Sequence, residues 1–273
     1  MNWRAIRALM RKDLLAVRRS PIVLLPLFIL PVILIVVIPA GLGLSARLLP
    51  DALANESSDL QQLLESLPSS VRDDMAGLSG GDSVMIAVLV YLFAPMYLIV
   101  PMMVSAVIAA DSFVGERERK TLEALLHTPL TNKEMLLAKM LSSWTAALAV
   151  SLGTFILYSL VVNLVGWQAM GGLFFPNLTW LLLAFWVAPA VAGFGLAVTV
   201  LISSRVKTFQ EASQLGGIVV LPIVVLLIAQ LAGVVFLGPA ITFVLGAVIW
   251  VLDAGLLWFG VKTFRREELL ARL

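Results

Sequence analysis

Six long apolar runs divide this chain, at residues 22–44, 84–110, 140–165, 178–202, 215–235 and 240–261. A helix crossing a membrane needs about 20 predominantly apolar residues, so each run is long enough to cross. The polar stretch between the second and third runs, DSFVGERERKTLEALLHTPLTNKEMLLAK at 111–139, carries eleven ionisable side chains counting His127. Charge at that density is excluded from hydrocarbon, so the segment sits at a membrane surface. Its pattern predicts a helix-turn-helix. Asp111 ends the second span and caps the next helix, whose apolar stripe is Phe113, Val114, Leu122, Leu125 and Leu126. Glu116–Lys120 and Arg119–Glu123 are spaced i, i+4 for pairing. Pro129 stops this helix, and Thr131 with Glu134 forms a capping box for the helix that continues into the third span. The expected geometry is a short helix parallel to the membrane, rigidly joined to two spans.

Ahead of the first run, Trp3, Ile6, Met10, Leu14 and Val17 recur every three or four residues among basic side chains. That pattern fits a helix lying flat in the interface with basic side chains reaching headgroups. A basic topogenic flank with no role of its own also fits. Ser20 and Pro21 read as the N-cap and first residue of the first span. The run that follows is about twice the length of a cleaved leader's apolar core and is expected to be retained. In the acidic loop 45–83, Leu60, Leu63, Leu64 and Leu67 mark one helical face, begun at Ser57 or Ser58 and stopped at Pro68. A small lid over the spans and a solvated linker both fit it.

Composition agrees with a polytopic membrane protein. Of 273 residues, 60% are hydrophobic and 13% charged, against about 25% charged in soluble domains. The chain has no cysteine and one histidine, which excludes disulfides, thiolate metal sites and multi-histidine centres; no metal and no nucleic-acid partner is expected. Lys and Arg set the orientation. With the N-terminus inside, 17 of the 19 fall in cytoplasmic segments, and only Arg47 and Arg72 fall outside. Both termini and the 111–139 segment are therefore expected in the cytosol, in a plasma or inner membrane.

Gly115 to Thr121 looks like a phosphate-binding loop but has Arg119 where its second glycine belongs. Without that glycine the backbone cannot curl around phosphates, and no strand precedes it. No ATP site is expected here, and six spans in 273 residues leave no room for a nucleotidase domain.

The pattern Asp111-x-x-x-x-Glu116-Arg117-Glu118-x-x-Thr121-x-Glu123-x-Leu125-Leu126-x-x-Pro129 resembles the cytoplasmic signature of ABC transporter permeases of the type-2 exporter class. The specific resemblance lies in residues 111–140; the six-span layout, the N-terminal helix and the tight final hairpin at Phe236–Pro239 extend it over the whole chain. It implies an all-α polytopic fold in one permease domain (1–273): an interfacial amphipathic helix (1–21), six transmembrane helices, an external loop (45–83) and a cytoplasmic coupling helix (within 111–139) between spans 2 and 3. It also implies that this coupling helix seats in a separate ATPase subunit present in two copies, which binds the ATP and magnesium. A second permease chain, identical or related, would pair around the path. Carried over by residue, Glu116, Arg117, Glu118, Thr121, Glu123 and Pro129 become coupling residues, with Leu122, Leu125 and Leu126 filling the ATPase groove or packing under the spans.

Polar residues inside the spans offer other chemistry. Asp253, nine residues before Lys262 in the sixth run, could bind a cation, relay a proton or bridge helices. Gln230 could line the same path, though it and Asn163 fit interhelical hydrogen bonds. Ala188–Ala197 is rich in small residues and allows close helix approach, while Pro95, Pro101, Pro189 and Pro222 are expected to shape their spans. Enzyme chemistry lacks a nucleophile-base or metal set. The leading expectation is a permease subunit coupling ATP hydrolysis by a partner to export of a drug, lipid or glycolipid, peptide or ion. The alternative is an autonomous ion-coupled secondary transporter or channel using Asp253.

Overall fold

The computed structural model describes residues 2–48, 78, 80–121, 131–203 and 205–263. Among them every regular element is helical. An N-terminal helix, α1 (Trp3–Arg19), precedes six helices long and apolar enough to cross a membrane. These are spans 1 to 6: Val23–Ser45, Gly81–Glu118, Lys133–Met170, Leu178–Ser203, Phe209–Leu231 and Pro239–Trp258. The expected leucine face in the external loop, and Leu122, Glu123, Leu125, Leu126, His127 and Pro129, lie outside the described residues.

Spans 2 and 3 outrun the bilayer. Each 38-residue helix is roughly 57 Å long at 1.5 Å per residue, against about 30 Å of hydrocarbon. No new helix starts at Asp111, contrary to the sequence reading. The backbone passes through it with φ −65° and ψ −42° and continues to Glu118. Reading the first charge as the end of a helix fails because this charge has a partner one face along: Arg119 donates to its carboxylate at 2.9 Å. The start of span 3 matches its local signal, with Glu134 N–H donating to Thr131 Oγ1 and Thr131 N–H to Glu134 Oε2.

The chain bends at Ser20 (φ −98°, ψ 104°), and Pro21 is the first residue of the next helix, but the Ser20 side chain makes no capping bond. Pro222 opens a helix after a tight 3₁₀ turn at Ile218–Val220. Span 4 presses on span 2 through the small-residue stretch. A methyl added at Gly195 would lie 2.7 Å from the Met102 carbonyl oxygen and 2.8 Å from Ser105 Oγ. One end of the core is aromatic: Trp180 stacks on Tyr158 at 4.6 Å and meets Phe175 at 5.0 Å and Tyr97 at 5.5 Å. Asn163 holds the following turn, donating to the Phe175 carbonyl and accepting from the Phe174 and Phe175 amides.

Span 2 contains two wide π turns, Ala87–Leu92 and Asp111–Gly115. Such turns disturb the regular i→i−4 ladder, and polar backbone in a membrane must find its partners within the protein. Side chains from three other spans provide them. Tyr158 donates to the Leu89 carbonyl, Trp180 to Val90 at 2.5 Å and Gln230 to Tyr91 at 2.7 Å. At the Asp111–Gly115 turn, Lys139 donates to the Ser112 carbonyl at 2.7 Å.

Candidate functional site

The charged end of span 2 emerges beside α1 and the start of span 3. α1 is capped by Asn2, whose side chain accepts from the Ala5 amide, and it buries Ile6, Leu9, Asp13 and Val17. This face packs on Met135 and Ala138. Of the expected stripe Trp3, Ile6, Met10, Leu14 and Val17, Ile6 and Val17 lie on this face, Met10 and Leu14 are half-buried beside it, and Trp3 is exposed. The inward face is chosen by the protein wall it meets, so a carboxylate, Asp13, takes a place that lipid would refuse it.

Glu116 is the centre of the cluster. It is 6% exposed, and Lys139, which is 1% exposed, donates to its Oε2 at 2.5 Å. Its Oε1 accepts from Lys12 of α1. Lys139 also reaches Ser112 Oγ at 3.2 Å and lies 5.7 Å from the centre of the Phe113 ring. Asp13 stands 3.2 Å from Lys12 Nζ and accepts from Ser142 Oγ at 3.4 Å. Burial pushes the Asp13 carboxyl above its ordinary range, and Lys139 and Lys12 offset only part of that. Burial pulls the Lys12 ammonium down, but bonding to Glu116 and the charge of Asp13 outweigh it and hold it above its usual value. The sequence spacing paired Glu116 with Lys120; the carboxylate instead takes Lys12 and Lys139.

The neighbours of Glu116 reach the other way. Arg117 donates to the Val206 carbonyl and to that of Ser203 at 3.4 Å, at the end of span 4. Glu118 accepts from the Phe209 amide at 2.8 Å, at the first residue of span 5. Thr121 folds back, its amide and hydroxyl donating to the Glu116 carbonyl at 2.9 and 3.1 Å. Lys120, with φ 56°, ends the turn. At the far end of the segment, the Asn2 amide donates to Glu134 Oε1 at 2.6 Å. Four polar residues of the segment are thus fastened to α1, span 3 and the connection between spans 4 and 5. Glu118, Arg119, Lys120 and Thr121 keep exposed surface.

The membrane-embedded candidates are placed separately. Asp253 is 2% exposed, and neither carboxylate oxygen has a hydrogen-bond partner among the described residues. It lies against Gly193 of span 4, where an added methyl would stand 2.6 Å from Oδ2. Gln230 is on span 5 and holds the Ala87–Leu92 turn of span 2. Between spans 2, 4, 5 and 6 is an apolar cavity of about 470 Å³, bordered by Phe194, Ile249 and Leu252. No group of His, Asp and Glu suited to a metal ion occurs among the described residues. Sequence reasoning missed Lys12, Asp13 and Lys139 as parts of the charge cluster around Glu116; Asp13, an acid at helical spacing within an apolar face, was the visible clue.

The family model described as ABC-2 family transporter protein matches residues 7–253. No curated protein and no solved structure matches the chain.

Proposed function

Given that the chain belongs to the ABC-2 transporter family and is a multi-pass membrane permease of an ABC transporter, we propose that it passes force from a separate ATPase to the spans. Two ATPase copies dock on residues 111–139, and a second permease chain completes the path. Both termini lie in the cytosol, and the cargo moves outward. The carrying observation is the fastening of the segment: Glu116 to Lys12 and Lys139, Arg117 and Glu118 to the span 4–5 connection, and Glu134 to Asn2. A displacement of Glu118–Thr121 is felt by α1 and by spans 3, 4 and 5 together. Transport then requires the nucleotide states of the ATPase to bind the two permease conformations unequally.

The cargo class stays open among drugs, lipids or glycolipids, peptides and ions. The orphaned Asp253 supports a second reading, an ion-gradient transporter acting alone. Reconstitution separates the two. ATP-dependent flux by the chain with its ATPase, and none by the chain alone, supports the exporter. Full-rate gradient-driven flux by the isolated chain overturns it.

A further inference from the structure

Four arginines of α1 are left over among the described residues. Arg4, Arg7, Arg11 and Arg18 are exposed and make no hydrogen bond or ion pair with any described residue, whereas Lys12 is consumed by Glu116 and Asp13. At 100° per residue the four lie within about 60° of arc, centred about 145° from the buried Ile6–Leu9–Asp13–Val17 face. They point away from the bundle.

Their height follows from the pairing of α1 with span 3. The Asn2 amide meets Glu134, Ile6 and Leu9 meet Met135 and Ala138, and Asp13 meets Ser142. From Glu134 to Ser142 the helix climbs roughly 12 Å. The apolar run of span 3 begins at about residue 140, so α1 rises to the hydrocarbon edge near Asp13. The headgroup layer below that edge is about 5–8 Å deep. Arg7 and Arg11 fall within it or at its edge, Arg4 reaches it from below, and Arg18, about 5 Å further up the climb, reaches back to it along its long side chain. Ser20 alone separates α1 from the helix that enters the membrane at Pro21, and exposed Trp3 and Leu15 flank the stripe.

We propose that the arginine stripe of α1 is a binding site for anionic phospholipid headgroups, whose occupancy sets how firmly the 111–139 segment is held to the bundle. The second clause rests on the coupling function above. α1 is fastened to both ends of that segment, by Lys12 to Glu116 and by Asn2 to Glu134. Lipid that steadies α1 therefore steadies both ends. Guanidinium groups pair with phosphates in bidentate fashion, and each basic side chain near an anionic surface gains about 1 kcal/mol.

The test uses the permease–ATPase complex in nanodiscs of phosphatidylcholine, with or without phosphatidylglycerol, and photoactivatable analogues of each lipid. Phosphatidylglycerol should label α1 about tenfold over phosphatidylcholine, the equivalent of little more than one such arginine contact. The variant R4Q/R7Q/R11Q/R18Q should lose that preference while keeping its melting temperature, because the packing face is untouched. Equal labelling by both lipids, or a preference unchanged in the variant, overturns the site. Loss of ATPase from the variant complex in both lipids also overturns it, since the stripe would then be a protein contact. ATP turnover coupled to flux should rise with phosphatidylglycerol in the native complex and not in the variant. If labelling holds and turnover ignores the lipid, the coupling clause falls and the site stands. If no ATP-driven flux occurs in any lipid, the exporter reading falls by itself.

Discussion

Replacing Glu116 with glutamine tests the charge cluster most directly, because its energetics can be worked from the geometry. The carboxylate is 6% exposed and Lys139 1%, so their pair is shielded from solvent, whereas Lys12 is 45% exposed at its side chain. Breaking a buried pair by removing one partner costs about 3–5 kcal/mol, mostly from the charge left behind. Lys139 would keep its two bonds to Ser112 at 2.7 and 3.2 Å, which places the expected cost near the lower figure, about 3 kcal/mol. Lys12→Met should cost under about 1 kcal/mol, since a half-exposed ion is screened. At roughly 2–4 °C per kcal/mol for a chain of this size, Glu116→Gln should melt about 6–12 °C lower in detergent. Adding Lys139→Met removes the stranded charge, so E116Q/K139M should be no less stable than E116Q alone. A melting point unchanged by E116Q, or a double variant losing the sum of both single costs, would refute the view of Glu116 and Lys139 as one buried unit.

Other consequences are open to measurement. Gly193→Ala places a methyl 2.6 Å from Asp253 Oδ2 and should cost about 1–3 kcal/mol by overpacking; in G193A/D253A the thermal loss should be smaller than the sum, and additivity would deny the contact. Gln230→Leu strips the donor from the Tyr91 carbonyl and should cost about 1 kcal/mol, typical of hydrogen bonds between membrane helices. Urea-induced unfolding in mixed micelles reads that out, and a stabilised variant would contradict it. Arg117→Ala releases the Ser203 and Val206 carbonyls. Amide exchange at 205–209 should accelerate, with ATP turnover kept and flux reduced; unchanged exchange would show that Arg117 holds nothing there.

The spans were legible because lipid imposes a length and a composition on them, and the Thr131–Glu134 cap because its partners are three residues apart. The same local logic misled at Asp111 and Glu116. A charge beside an apolar run looks like a boundary when its partners are hidden, and Lys12 and Lys139 are 104 and 23 residues from Glu116. Of the expected docking residues, Glu116 turned out to be committed inward, Arg117 and Glu118 to be shared with the span 4–5 connection, and Thr121 to fold onto Glu116. The π turns left no mark in the sequence, since nothing in AVLVYL or DSFVG distinguishes a wide turn from a regular one. Their recognition depends on Tyr158, Trp180, Gln230 and Lys139 arriving from elsewhere in the chain.

The wide turn at Ala87–Leu92 also lets span 2 carry one residue more than a regular helix while keeping its phase. Removing one residue within it would restore a regular helix and leave the phase nearly unchanged, but removing one from the regular stretch that follows, Phe93–Ala110, would rotate everything further along by about 100°. Glu116 would swing off Lys139 even though neither residue had been altered. Natural relatives that keep both the aromatic cluster and the charge cluster should therefore share the same number of residues in that regular stretch. A length change in this interval should survive only beside a second one that cancels the rotation.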